Sequence, residues 1–259
     1  MSSSLFERTE QKYLLAKTQY EQLIDAVGTL LDDDEYPHSL VSSLFFDNAQ
    51  DDMINRSIAK PLYKEKLRLR AYRSIAEDGS LDDGVDDNHL VFVELKKKFK
   101  GITYKRRTAL ANADAVAYME GLPYAEAAQR SRNRGLELPQ EPTWETRQIV
   151  RELDATIARH QPLRPLILVS VDRLAKRTND GSDIRVTFDT NARWRTHDLA
   201  FQAGADGQPL FGDKHVVMEV KCLHAYPLWM VHAFNELHIY PKALSKVGLA
   251  YQQACRLGA

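Results

Sequence analysis

The stretch Tyr63-Lys-Glu-Lys-Leu-Arg-Leu-Arg-Ala-Tyr72 limits this chain more than any other. Read as a strand, it alternates with period two, so Lys66, Arg68 and Arg70 share one face while Leu67 and Leu69 share the other. Ordinary exposed strand faces mix signs and carry Ser and Thr. Three cations in register must meet something negative or repel one another in water.

The same alternation recurs. A first strand over Phe6–Leu15 places Glu10 and Lys12 together, and Leu90–Lys100 places Glu94, Lys96 and Lys98 opposite Val93 and Leu95. Ile102–Leu110 gives Lys105 and Arg107, and the strand from Pro162 to Lys176 carries Asp172 and Arg173. Ser182–Thr190 sets Arg185, Thr187 and Asp189 against Val186 and Phe188, and Lys214–Cys222 sets Glu219 and Lys221 against Met218 and Val220. The apolar faces can pack under helices. The charged faces then converge, because an antiparallel sheet curved into a barrel has one interior. A space lined by Lys and Arg calls for an anion, and a multiply charged phosphate chain suits it: Arg grips phosphate bidentately and Lys acts as a point charge. Glu10, Glu94 and Glu219 contribute nothing to phosphate directly but suit Mg²⁺ or Mn²⁺ bridging to phosphate oxygens. The bland reading is a solvated face of cross-strand ion pairs, each worth well under ~1 kcal/mol. It serves for one strand and strains over six.

Helical spacing marks Thr18–Leu31, with Thr18 as N-cap, Glu21 closing the cap and Asp32–Glu35 ending the helix. Ser39–Asp47 reads as a strand, Gln50–Lys60 as a short helical connection and Glu77–His89 as an acidic loop. Further helices fall in Asn112–Arg134 (a second one from Pro123), Thr143–His160, Pro227–Leu237 and Pro241–Leu257, with Trp144, Ile149, Leu153 and Ile157 sharing one side of the third. Closely paired strands with helices between them exclude a parallel α/β domain. The expectation is one α+β domain over residues 1–259.

Composition narrows the partners. The net charge of −1 gives no global pull toward nucleic acid or an anionic membrane surface, so an anion site must come from local clustering. No apolar run reaches membrane-spanning length and no signal peptide is visible, which makes a cytoplasmic location the expectation; attachment to a membrane protein subunit stays open. Cys222 and Cys255 make neither a disulfide framework nor a metal spacing.

In order along the chain, Glu10-x-Lys12, Lys66-x-Arg68-x-Arg70, Glu94-x-Lys96, Lys105-Arg-Arg107, Arg185-x-Thr-x-Asp189, Glu219-x-Lys221 and Ser245-Lys246 resemble the triphosphate tunnel metalloenzymes of the CYTH-like superfamily. The words Phe45-Phe-Asp-Asn48, Glu65-Lys-Leu-Arg-Leu-Arg-Ala-Tyr72, Phe188-Asp-Thr-Asn191 and Met218-Glu-Val-Lys221 are similar to the VTC domain, the polyphosphate polymerase module of the vacuolar transporter chaperone and its bacterial relatives. The resemblance runs from about Phe6 to Tyr251. It implies an eight-stranded antiparallel tunnel with helices packed outside, and transfer of the γ-phosphate of ATP onto a phosphate chain with release of ADP. It further implies that Lys12, Lys66, Arg68, Arg70, Lys96, Lys105, Arg107, Arg173, Arg185, Lys221 and Lys246 hold phosphate, with Lys66, Arg68, Arg70, Arg173 and Lys246 closest to the chemistry. Glu219 leads as ligand of a divalent metal, Mn²⁺ or Mg²⁺, with Glu94 and Glu10 behind it or orienting a neighbouring lysine. One departure bears on activity: the Glu-x-Glu-x-Lys opening of many tunnel enzymes reads Arg8-Thr-Glu10-Gln-Lys12, which weakens a two-metal triphosphatase. A tunnel triphosphatase with water as acceptor, and a non-catalytic polyphosphate- or nucleotide-binding module, are the alternatives.

Other residues read as structural. His232 and His238 sit among aromatics, His215 and His224 have no zinc spacing, and Cys222 falls on a core face. The acidic run Asp82–Asp87 lacks calcium-loop spacing, Lys97 and Lys98 cannot both point inward with Lys96, and Tyr72 or Tyr104 could touch a nucleotide base.

Overall fold

A computed structural model describes residues 9–82, 84–100, 102–212, 214–223 and 225–258. Phe6–Arg8, the assigned start of the first strand, and His224 lie outside them. The strands are β1 (Thr9–Ala16), β2 (Leu31–Asp47), β3 (Tyr63–Ser74), β4 (Leu90–Phe99), β5 (Ile102–Ala111), β6 (Arg164–Thr178), β7 (Arg185–Arg195), β8 (Gln208–Pro209) and β9 (His215–Cys222). The helices are α1 (Lys17–Val27), α2 (Asp52–Ala59), α3 (Asn112–Met119), α4 (Tyr124–Asn133), α5 (Trp144–His160), α6 (Leu228–Glu236) and α7 (Lys246–Leu257). No helix among the described residues is long and apolar enough to cross a membrane.

Eight strands form one antiparallel order, β1-β9-β7-β6-β2-β3-β4-β5, and the two-residue β8 hangs on β7. In a flat sheet β1 and β4, six steps apart in this order, would be separated by about 29 Å at ~4.8 Å per strand. Yet Lys96 of β4 lies 3.7 Å from Glu10 of β1. The sheet therefore curls back on itself, as the charged alternation requires. Among the described residues its end strands β1 and β5 share no backbone ladder; side chains span the gap. The open edge of β1 is met by the Lys242 amide, which donates to the Lys12 carbonyl at 2.7 Å.

Two apolar clusters cover the convex face. α3, α4 and α5 bury Leu67, Leu69, Val93 and Leu95, while α1 and α6 bury Tyr13, Val186, Phe188 and Met218. Each fully buried Leu or Val contributes about 1.5–3 kcal/mol relative to exposure. The third cluster lies on the concave side. Val41 and Phe45 pair with Val171 and Ile167, share the face of Arg68 and Tyr72, and meet Val247, Ala250 and Ala254 of α7 with Ile54 of α2. One end of the interior is thus filled by α7. Asp47 fixes α2 by accepting from the Met53 and Ile54 amides at 3.1 and 2.8 Å.

Several sequence expectations are corrected. Asp32–Glu35 does not end a helix; β2 begins at Leu31, and Asp33 and Asp34 pair with Lys176 and Arg185 across strands. The α1 cap is Ala16, whose amide donates to Gln19 Oε1 at 2.9 Å, rather than Thr18 with Glu21. Trp144 is 66% exposed, whereas Leu153 and Ile157 of the same helix are buried. Thr143 caps α5, accepting from the Thr146 amide. On the apolar face of β3, Glu65 is an interruption the alternation hid: buried, it takes Tyr63 Oη at 2.6 Å and His160 Nε2 at 2.8 Å. Burial first, then the Glu65 carboxylate, pushes the Tyr63 phenol up to about 12.

Candidate functional site

Residues opposite one another on antiparallel strands share a face. The register therefore lays out the inner wall in rows. Lys66, Lys96 and Lys105 make one row, and Arg68, Glu94 and Arg107 the next. On the facing wall Glu10, Lys221 and Arg185 line up, then Lys12, Glu219 and Thr187, with Arg173 opposite Asp189. Lys246, at the first turn of α7, enters the same space and reaches Asp189 at 2.6 Å and Glu219 at 3.5 Å. Thirteen of the fourteen residues singled out from the sequence lie on this one face of the sheet, and Lys246 of α7 enters the same space, though not all equally deep.

Glu94 is the hub of the β3–β5 wall. It is 1% exposed; Arg68 donates to its Oε2 through Nε and Nη2 at 2.8 and 2.6 Å, and Lys105 reaches Oε1 at 2.8 Å. Burial opposes its ionisation, but Arg68, Arg70 and Lys105 outweigh it and hold the carboxyl far below the usual range. Arg70 adds bonds to Ser43 Oγ at 3.1 Å and Tyr72 Oη at 3.4 Å. Arg107 lies flat on Phe92, its guanidinium carbon 3.2 Å from the ring centroid.

The facing wall is better balanced. Lys12 bridges Glu219 at 3.2 Å and Glu10 at 3.5 Å. Burial works against its charge, yet Glu219 and Glu10 raise its pKa. Arg173 forks onto Asp189 at 2.6 and 2.8 Å. Arg185 sits half-exposed at the rim on Asp34, 2.5 Å away, and Lys221 lies 3.7 Å from Glu219. Asp189, Asp34, Ser245 and Tyr72 belong to this constellation although sequence reasoning left them out of the site. Asp189 shared the charged face of β7, and Ser245 its motif with Lys246; Asp34 gave no local signal.

Lys66 differs from every other cation here. Among the described residues no carboxylate lies within ion-pair distance of it; its ammonium donates to Ser245 Oγ at 2.8 Å. Burial first, then Lys12, Lys96, Lys64 and Arg68, push it down to about 7. Lys96, half-buried, drops to about 8 through desolvation despite Glu10. Ser245 caps α7 by accepting from the Gly248 amide at 3.2 Å, and a Cβ at Gly248 would stand 3.2 Å from that hydroxyl, so glycine leaves the cap room.

The carboxylates differ as metal donors. Among the described residues no three His, Cys, Asp or Glu side chains converge as a metal cage. Glu10 and Glu219 nevertheless touch a single ammonium between them, so an ion in its place would take one oxygen from each. Two carboxylates with water and phosphate oxygens completing the shell is the usual habit of Mg²⁺. The residues present thus fit a divalent ion at Glu219 and Glu10. Both oxygens of Glu94 are taken by cations.

The VTC domain profile matches residues 7–255. No match was found among curated proteins. Among solved structures, a protein of Vibrio parahaemolyticus described as a candidate adenylate cyclase shares 9% identity, with 94% of this chain and 97% of the other covered at a TM-score of 0.43. A Pyrococcus horikoshii OT3 protein shares 10% identity over 95% and 99% at 0.42, and a chain of the Schizosaccharomyces pombe Mediator head module 11% over 89% and 90% at 0.43.

Proposed function

The chain belongs to the VTC domain family, and from that premise we propose that it is a polyphosphate polymerase, moving the γ-phosphate of ATP onto a phosphate chain inside the basic tunnel. The observation that carries this reading is the charge imbalance of the inner wall. Eleven Lys and Arg side chains face five carboxylates, Glu10, Asp34, Glu94, Asp189 and Glu219, and Lys66 pairs with none of them. Such a wall is electrostatically costly without a polyanion and favourable with one.

Phosphoryl transfer leaves the protein mainly positioning and charge neutralisation. Lys66, Arg68 and Arg70 hold the triphosphate along β3, Arg173 and Lys246 grip it from the facing wall, and the remaining cations carry the chain. Glu219 and Glu10 would hold a divalent ion, which supplies charge neutralisation of phosphate oxygens there. Glu94 then serves to aim Arg68 and Lys105. An oxygen of the acceptor's terminal phosphate attacks the γ-phosphorus, the bond to the β-phosphate oxygen breaks, and ADP leaves. The acceptor is already anionic, so no side chain need take a proton.

The test is incubation with ATP and Mn²⁺ or Mg²⁺, with products resolved by chain length. Polyphosphate is expected, and Arg68→Ala should cut the rate by about a hundredfold or more while the fold persists. ADP and orthophosphate without polyphosphate, or orthophosphate and pyrophosphate from added tripolyphosphate, would make it a triphosphatase, and tight binding without turnover a binding module. Loss of folding in Arg68→Ala would make this face structural.

A further inference from the structure

The edge of β5 holds a cavity of about 320 Å³ that the phosphate reading does not use. Its walls come from both sides of the strand: Phe92 and Arg107 on the tunnel side, Tyr124 and Arg132 on α4, and Pro139 and Pro142 on the connecting segment. The volume lies in the range of small-molecule pockets, which pair apolar walls with few polar groups.

Three observations give the cavity a ligand class. Arg107 belongs to both places, lining the cavity and lying 3.9 Å from Glu94 in the tunnel. Its guanidinium stacks on Phe92 and stands 5.7 Å from the centroid of Tyr72, so a flat cationic and aromatic surface leads from the phosphate wall to the cavity. Arg132, on the cavity wall, spends one N–H of Nη1 on the Pro139 carbonyl and one of Nη2 on Gln129, two of the five donors of a guanidinium. Flat π-faces suit a heteroaromatic ring, and a guanidinium held in place suits a ring nitrogen or oxygen.

We propose that this cavity is the base subsite of a nucleoside triphosphate, with the ring beside Phe92 and Arg107 and an acceptor atom on Arg132. The inference rests on the reading of the tunnel as the triphosphate site, and the experiment separates the two. Calorimetry compares ATP with tripolyphosphate, which keeps the phosphate chain and lacks the base. Ala109→Phe, facing Phe92 across the ladder, fills the cavity; Arg132→Met removes the donor. Each should weaken ATP by about tenfold, the scale of one lost stacking or hydrogen-bonding contact, and leave tripolyphosphate unchanged. In the unmodified protein, photolysis of 2-azido-ATP should label the cavity wall, residues 92, 107–109 or 124–146, whatever the folding of the variants. Equal losses for both ligands, no loss for either, or label outside those residues overturns the base site alone. Failure of the unmodified protein to bind tripolyphosphate removes the tunnel reading as well.

Discussion

Replacing Glu94 by Gln keeps the shape of the β3–β5 hub and deletes its charge. Arg68, Lys105, Arg70 and Arg107 lie 2.6, 2.8, 3.8 and 3.9 Å from that carboxylate, which is 1% exposed. Breaking a buried ion pair by removing one partner costs about 3–5 kcal/mol, because the other charge stays buried and uncompensated. Against a total of about 5–15 kcal/mol the protein still folds. For a domain of this size each kcal/mol moves Tm by about 2–4 °C, so Glu94→Gln should melt roughly 10 °C lower. Tripolyphosphate supplies the missing negative charge, and at a hundred times Kd a ligand adds about 2.7 kcal/mol. Its stabilising shift, read by calorimetry or thermal fluorescence at one ligand concentration, should therefore be larger in the variant than in the unmodified protein. An unchanged Tm, or a larger ligand shift in the unmodified protein, would refute the hub.

Lys66 predicts a pH signature. Its folded pKa, about 7, is depressed below the ordinary lysine value, so between the two the unfolded chain holds more protons and stability rises with pH; below about pH 7 this contribution levels off. Phosphate beside Lys66 restores its proton, and Lys96, at about 8, adds to the effect. Tripolyphosphate binding at pH 8 should then take up protons, seen as a binding enthalpy that varies with buffer ionisation enthalpy; Lys66→Met should reduce the uptake, and buffer-independent enthalpy would refute it. Glu219→Gln should abolish metal-stimulated turnover while metal-free tripolyphosphate binding holds or tightens, since a buried carboxylate has gone; equal metal stimulation in the variant would move the ion elsewhere.

What could be read in the sequence was whatever depends on period two. Strand β3 exposes its plan because Lys66, Arg68 and Arg70 alternate with Leu67 and Leu69, and the register of β4 and β5 then places Glu94, Lys96, Lys105 and Arg107 without further information. Asp33 and Asp34 were misread because their partners, Lys176, Arg177 and Arg185, are more than a hundred residues away and nothing local distinguishes an acidic strand from a helix stop. Lys97 and Arg106 have the same difficulty: both turn outward to Glu152 of α5, 3.1 and 2.7 Å away. The position of α7 was hidden for a different reason. Its Val247, Ala250 and Ala254 mark an amphipathic helix equally well inside or outside a curved sheet, so only the concave apolar patch of β2 and β6 decides.

The two walls divide the work unequally, and the division can be tested. The β3–β5 wall has one carboxylate, Glu94, for Lys66, Arg68, Arg70, Lys96, Lys105 and Arg107. The facing wall has Glu10, Glu219 and Asp189, with Asp34 at the rim, for Lys12, Lys221, Arg185, Arg173 and Lys246. On the proposed reading a phosphate chain would lie against β3–β5, and a cation would complete the facing wall. Lys12 now stands where that cation would neutralise Glu10 and Glu219, so Lys12→Met frees two carboxylates to repel phosphate. Lys66→Met only removes an unopposed positive charge. Both variants should bind tripolyphosphate at least about tenfold more weakly in chelator, a loss of ~1.4 kcal/mol or more. Added Mg²⁺ should restore Lys12→Met, by occupying the two freed carboxylates, and leave Lys66→Met weak. If Mg²⁺ rescues both variants alike, or neither, the assignment of the walls is wrong.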